Sequence, residues 1–302
     1  MTQATAQPRR HQATLALDAR ATLGECIRWD ERQKLIYWVD IPGRQLHRYD
    51  PATGRDDAMP LAQEMGCFAL AERGGFICGM RSGYARLDRF GGDFTPLASP
   101  DYDPAKARFN DGRCDSAGRF WAGTMWEPRD RAGGIVYRLD ADGRFGAQCN
   151  PVIIANGITF APDGRSMTLA DTTNHVLWAF DYDLVTGIPS SRRELRSYEP
   201  ASGRPDGACV DAEGNVYVAI MAGGRVEKIS PTGELLAVIE LPIPNITCCT
   251  FAGDDLRTLY ITTARTRMTD AELAAHPYAG GLFAWRLPDG DAPGIIEPRY
   301  AG

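Results

Sequence analysis

One strand–turn–strand design recurs six times along this chain, and that repeat restricts its fold more than any other feature. The segments WDERQKLIYWVD from Trp29, FALAERGGFICGM from Phe68, CDSAGRFWAGT from Cys114, FAPDGRSMTLAD from Phe160, VDAEGNVYVAI from Val210 and FAGDDLRTLYITT from Phe251 each read as two strands about a polar turn. A second turn follows each one: RYDPATG, RLDRFGG, RLDADG, FDYDLVTG, ISPTG and WRLPDG. The first-turn positions Gln33, Gly74, Gly118, Gly164, Gly214 and Asp255 lie 41 to 50 residues apart, the period of a four-stranded blade. That period is too long for a β-helix coil, and a sandwich has no need of two alternating turn types in six copies. The expected fold class is all-β, a six-bladed β-propeller with four-stranded blades around a central channel. Residues 1–13 are expected to form an N-terminal tail and 14–302 one propeller domain. Closure is expected from a strand near Leu15–Asp18 that pairs with C-terminal strands and removes exposed edges.

Composition narrows the partners. A net charge of −6 and a pI near 5.3 leave no basic footprint for nucleic acid or an anionic membrane surface. The N-terminal MTQATAQPRRHQATLALDA lacks the continuous apolar stretch of a secretory signal, and no apolar run is long enough to span a bilayer, so the expected location is cytoplasmic. Eight cysteines without a CxxC pair read as buried packing residues, and four histidines without HxxxH or HExxH spacing argue against a histidine-rich zinc site. The expected state is a monomer or weak homo-oligomer.

Counting back about eight residues from each turn anchor reaches Glu25, Gly66, Asn110, Asn156, Asp206 and Thr247. In a propeller the inner strand of every blade starts at the same end of the channel, so these positions form a ring there. Apolar strands such as CIRW, GITF and GACV follow, so surface alternation does not explain a carboxylate or amide just before them. Asn156-Gly157 and Asp206-Gly207 also resemble turn dipeptides, but turn chemistry alone does not require a shared repeat phase. Glu25, Asn156 and Asp206 are therefore the candidate metal ligands. Two carboxylates and a carboxamide are hard oxygen donors suited to one divalent ion, Ca2+, Mg2+ or Mn2+, with Zn2+ and Fe2+ also admissible. Arg108 and Asn110 sit at the same rim, where they can hold hydroxyls or developing negative charge, or simply pair with each other at a strand end. Glu127, beyond the next strand, reads either as a residue of the channel mouth or as a solvated loop carboxylate.

These residues carry a resemblance. LGE at Leu23, RFNDG at Arg108, GRFWAGTM at Gly118, ANG at Ala155, FDYDLVTG at Phe180, RPDGACVDAEG at Arg204, GGRV at Gly223, LYITTAR at Leu259 and AGGLF at Ala279 are similar to segments of the regucalcin (senescence marker protein) and gluconolactonase family. The resemblance implies a metal-dependent sugar lactonase of carbohydrate metabolism, with one divalent metal at Glu25, Asn156 and Asp206. It further implies that Arg108, Asn110 and a glutamate near Glu127 contact a small-molecule sugar lactone, and that Asp206 is the general base. Family members usually read GEGP where this chain has Gly24-Glu25-Cys26-Ile27, which sets a thiol and a branched residue beside the first ligand. A calcium-binding regulatory propeller without turnover, or a phosphotriesterase-like hydrolase, would use the same ligands.

Overall fold

Turn chemistry sets the first hairpin of the blades. In three of the six repeats an aspartate at the end of the first strand, Asp30, Asp115 or Asp211, accepts a 3.0 Å hydrogen bond from the backbone N–H two residues on. This Asx geometry reverses the chain without help from tertiary contacts. A computed structural model describes residues 7–149 and 152–302. The first six residues of the expected tail lie outside the described residues.

The hairpins assemble into six antiparallel sheets, each with four strands counted outward from the axis. The innermost strands are Gly24–Asp30, Met65–Leu70, Ala107–Cys114, Ala155–Phe160, Arg204–Val210 and Ile246–Ala252, in blades 1 to 6. Each touches the next and the last returns to the first, so the ring closes. Both faces of an inner strand meet neighbouring blades. That is why segments such as Ile246–Ala252 are buried at every residue and read as continuous apolar runs instead of alternating ones. The outer strands, such as Ile188–Ser197, face water and are mostly exposed.

Two N-terminal strands lock the ring. Thr14–Leu17 pairs antiparallel with Leu282–Arg286 and becomes the outermost strand of blade 6, the closure expected from the sequence. Arg9–Gln12, inside the segment expected to be a tail, pairs in parallel with Leu235–Glu240 and adds a fifth strand to blade 5. Helix is nearly absent. The one α-helix among the described residues, Asp270–Ala275, is held by a capping box between Thr269 and Glu272. It is neither long nor apolar enough to cross a membrane.

The axis is sealed below the ring. Arg28 and Arg113 reach across it and donate to the carbonyls of Gly112, Ile158 and Ala208, and both pair with Glu297 from the C-terminal segment. A buried arginine is tolerated when its charge has a counterion and most of its donors are used, and here Glu297 and the three carbonyls serve both side chains. Above this floor, Asp111 accepts from the N–H groups of Gly112 and Ile158.

Removing residues 1–17 deletes the outermost strand of blade 6 and the extra strand of blade 5, and leaves edges of backbone N–H and C=O groups unpaired. Thermal unfolding of that truncation should begin well below that of the full chain and end in aggregation. Removing residues 1–8 should leave Tm within about 2 °C of the full chain, a shift below about 1 kcal/mol for a chain of this size.

Candidate active site

Every inner strand breaks register with its neighbour near the ring position. The breaks fall between Glu25 and Arg28, Met65 and Cys67, Phe109 and Asp111, Asn156 and Thr159, Pro205 and Ala208, and Ile246 and Cys248. A bulge inserts backbone into one strand and re-aims the side chain beside it. Two of these bulges use left-handed backbone, at Cys26 (φ 50°) and Gly157 (φ 55°). At Gly66 the strand of blade 2 lies so close to blade 3 that a Cβ would sit 1.9 Å from the Phe109 carbonyl oxygen, so that ring position carries no side chain.

Four of the other five members converge, while Thr247 bonds the Gly24 carbonyl and Thr262 instead. Glu25, Asn110, Asn156 and Asp206, with Arg108 and Glu127, line one cavity of about 350 Å³ at the channel mouth, large enough for a sugar ring. A chain of hydrogen bonds fixes the amides. Arg108 Nη1 donates to Asn110 Oδ1 (2.9 Å), Asn110 Nδ2 to Asn156 Oδ1 (2.9 Å), Asn156 Nδ2 to Thr172 Oγ1 (2.9 Å), and Thr172 Oγ1 to the Pro205 carbonyl (2.8 Å). A guanidinium can only donate and a carbonyl can only accept, so the two ends dictate the direction of every bond between them. Asn156 must therefore present Oδ1, not Nδ2, on its Asn110 side, and that oxygen retains a second lone pair. Asn110 spends both Nδ2 hydrogens, one on Asn156 and one on the Ala155 carbonyl at 3.0 Å, so what it can offer a ligand is an acceptor.

The two carboxylates are in the opposite condition. Glu25 and Asp206 are buried, and Asp206 Oδ1 has no hydrogen-bond partner among the described residues. Burial, then the neighbouring Asp206 and Asp111 charges, drive the Glu25 carboxyl well above its ordinary range. Burial and the Asp111 charge do the same to Asp206, against the opposing pull of Arg204. Like charges buried side by side with an orphaned oxygen call for a cation. With the fixed Asn156 oxygen they make a hard-oxygen donor set that fits one divalent ion, water completing the coordination. Among the described residues no three Asp, Glu, His or Cys side chains cluster in this way, consistent with a site whose third donor is an amide. The Cys26 thiol is not part of it. Its Sγ takes a 3.1 Å hydrogen bond from the Phe68 N–H of blade 2, and burial raises its pKa to about 11, so it stays neutral and turned into the wall.

The rim holds groups that the repeat phase did not single out. Glu64 lines the cavity, and Arg81 behind it bonds both Glu64 and Glu127, the latter through two contacts of 2.8 and 2.9 Å. The Arg81 hydrogen bonds hold the Glu127 carboxyl below its usual range. The Arg108 Nε stands 3.8 Å from each of these glutamates. Glu64, Arg108 and Arg204 are a second set, two residues before Gly66, Asn110 and Asp206, and all three line the same cavity. Stepping back two positions from the first ring would have found Glu64 and Arg204. Thr172, Arg129 and Arg267 come from loops after second strands, where lengths vary and no phase applies. A second cavity, on the opposite face, ends on the Arg113–Glu297 pair, whose charges satisfy one another.

Comparison with known proteins shows the family and the fold. Residues 23–265 match the SMP-30/gluconolactonase/LRE-like region. The chain is 44% identical to a 6-deoxy-6-sulfogluconolactonase of Pseudomonas putida over 93% of its own length and 96% of that protein. It is 36% identical to chicken regucalcin over 94% and 96% of the two chains. The crystal structure of a calcium-binding protein, regucalcin, from Agrobacterium tumefaciens superposes with a TM-score of 0.92 at 27% identity, covering 99% of this chain and all of that one.

The electrostatics make the metal-free site a source of instability. In chelator at neutral pH, Asp206→Asn should raise Tm, because it removes a carboxyl that burial and the neighbouring charges push towards protonation and that is ionised in the unfolded chain. The sign follows from the raised folded-state pKa: the wild-type penalty is absent in acid and grows as pH rises through that pKa, so the gap between variant and wild type should close near pH 4. Metal at a hundred times Kd should stabilise the wild type by about 2.7 kcal/mol and the variant by less. Differential scanning calorimetry with and without metal reads both effects.

Proposed function

The chain belongs to the SMP-30/gluconolactonase/LRE-like family and is a sugar lactonase, and we propose that it hydrolyses an aldonolactone to the aldonic acid with one divalent metal at the channel mouth. The observation that carries this reading is the orphaned Asp206 oxygen, buried beside Glu25 and the oriented Asn156 in a cavity of sugar size. Glu25, Asn156 Oδ1 and Asp206 hold the ion. When bound, it supplies Lewis-acid polarisation of the lactone carbonyl and orders water in the site.

The rest falls to the chain's own groups. Asp206 accepts the proton of the attacking water as the new C–O bond forms. The ring C–O bond then breaks, and that proton goes to the departing ring oxygen, leaving a hydroxyl and a carboxylic acid. Burial and Asp111 favour protonation of Asp206, which suits a base, while the metal opposes it. Arg108 faces the charge that develops on the carbonyl oxygen. Its position is fixed because Nη1 is already held by the Phe109 carbonyl and Asn110, both at 2.9 Å. Glu64 and Glu127, restrained by Arg81, present acceptors to sugar hydroxyls. Asn110 acts through Asn156 and is a positioning residue.

Hydrolysis of D-gluconolactone should disappear when the protein is stripped with chelator and return on addition of Ca2+, Mn2+ or Zn2+. Asp206→Asn keeps an oxygen ligand and removes the base, so at saturating metal its kcat should fall by about 10²–10⁴-fold. Near-normal turnover in that variant would assign the base elsewhere. Metal binding without turnover of any aldonolactone would make the protein a metal-binding propeller and not an enzyme.

A further inference from the structure

Three of the arginines at the cavity mouth have no carboxylate bonded to them. Arg108, Arg129, Arg204 and Arg267 line it together with Glu25, Glu64, Glu127 and Asp206. Glu64 and Glu127 are already shared between Arg81 and Arg108. Glu25 and Asp206 lie buried on the floor, where a divalent ion would neutralise them. Arg129, Arg204 and Arg267 are left over. Among the described residues none of the three makes an ion pair or a side-chain hydrogen bond, although Arg129 and Arg204 are half-buried.

These arginines also crowd one another. Arg129 has a depressed pKa, caused first by burial and then by the charges of Arg267, Arg204 and Arg108. Two of them are held where side chains rarely sit, Arg129 at φ 57° and Arg267 at φ 61°. Such backbone persists only when its surroundings enforce it. For Arg129 they do: the Trp126 indole bonds Asp130 at 2.6 Å, Arg131 stacks 4.4 Å above the same ring, and the Glu127 N–H is tied to the Lys106 carbonyl. The loop carrying Arg267 runs directly into the capped helix Asp270–Ala275, whose end is fastened by His276 to the Pro242 carbonyl. Two anchored loops from blades 3 and 6 thus hold unpaired guanidinium groups at one mouth, with Arg204 from blade 5 beneath.

We propose that Arg129, Arg204 and Arg267 form a subsite for an anionic group on the sugar, so that the preferred substrate is an aldonolactone bearing a sulfonate, phosphate or carboxylate at the end remote from the reacting carbonyl. This rests on the lactonase reading of the same cavity. A planar guanidinium matches two oxyanion oxygens at once, and desolvation inside a half-buried cleft strengthens the pairing. A neutral lactone leaves the three charges facing one another. An anionic one relieves that repulsion, and the gain is made in ground and transition states alike, so it should appear mainly in KM.

The test compares D-gluconolactone with its 6-deoxy-6-sulfonate, its 6-phosphate and the lactone oxidised to a carboxylate at carbon 6, at saturating metal. One of the anionic lactones should have a kcat/KM at least about tenfold above the neutral one, an advantage that shrinks as salt is raised. The Arg129→Gln, Arg267→Gln double variant should lower the anionic-to-neutral ratio of kcat/KM by about tenfold or more, and the lysine pair should restore part of it. Which anion gains most separates sulfonate, phosphate and carboxylate. Calorimetric binding of 6-phosphogluconate and 6-deoxy-6-sulfogluconate against gluconate gives an arm that needs no turnover. If no lactone is hydrolysed but a 6-anionic acid binds about tenfold more tightly than gluconate, and the double variant loses that margin, the subsite stands and the lactonase assignment falls. An unchanged ratio in the double variant, or equal binding of all the acids, overturns the subsite. The second result would leave these arginines serving only the carboxylate common to every product.

Discussion

The break in register of the six inner strands is the constraint on which the rest depends. A regular strand would send alternate side chains into the two neighbouring blades and none along the axis. By bulging near the ring position, each inner strand turns one residue toward the channel mouth while the residues after it return to the apolar wall. The wall then decides which ring positions can be used. Gly66 has no room for a side chain, and Thr247 spends its hydroxyl on Gly24 and Thr262, so the donors gather on the remaining blades. Burial of the inner strands on both faces supplies the hydrophobic stabilisation that holds the bulges in place.

That stabilisation is partly used to hold a charge arrangement that opposes folding. Glu25 and Asp206 are forced together above Asp111, and the mouth adds arginines without partners. Elsewhere the same chain pairs its buried charges thoroughly, as at Arg28, Arg113 and Glu297 below the ring or Lys228 with Asp211 in blade 5. The contrast lies within one molecule, and it sets the orphaned Asp206 oxygen and the three arginines without a bonded carboxylate at one end of one channel. Strain concentrated in this way marks a binding surface more reliably than any single side chain.

Much of this could be read from the sequence because the repeat has a phase. The phase located Glu25, Asn110, Asn156 and Asp206 on one ring before any fold was known, and the closing strand followed from the need to pair an edge. What could not be read lies off the phase. Arg9–Gln12 has no apolar alternation, so nothing in RRHQ announces a strand that pairs in parallel with blade 5. The direction of the Arg108-to-Thr172 hydrogen-bond chain depends on a threonine in a loop and a carbonyl in the next blade. Arg81 belongs to blade 2 yet restrains Glu127 of blade 3, a contact made by neighbouring blades and not by sequence spacing.

The central claim is that Glu25, Asn156 Oδ1 and Asp206 together hold the divalent ion on which lactone hydrolysis depends. Anomalous diffraction from crystals of the chelator-stripped protein soaked in Mn2+ addresses it directly. The account predicts one strong peak per chain at the channel mouth, bounded by those three side chains and within about 2.0–2.6 Å of their oxygens, the range for hard divalent ions. A mouth without a peak, or a peak on other residues in a protein that still hydrolyses lactone, would contradict it.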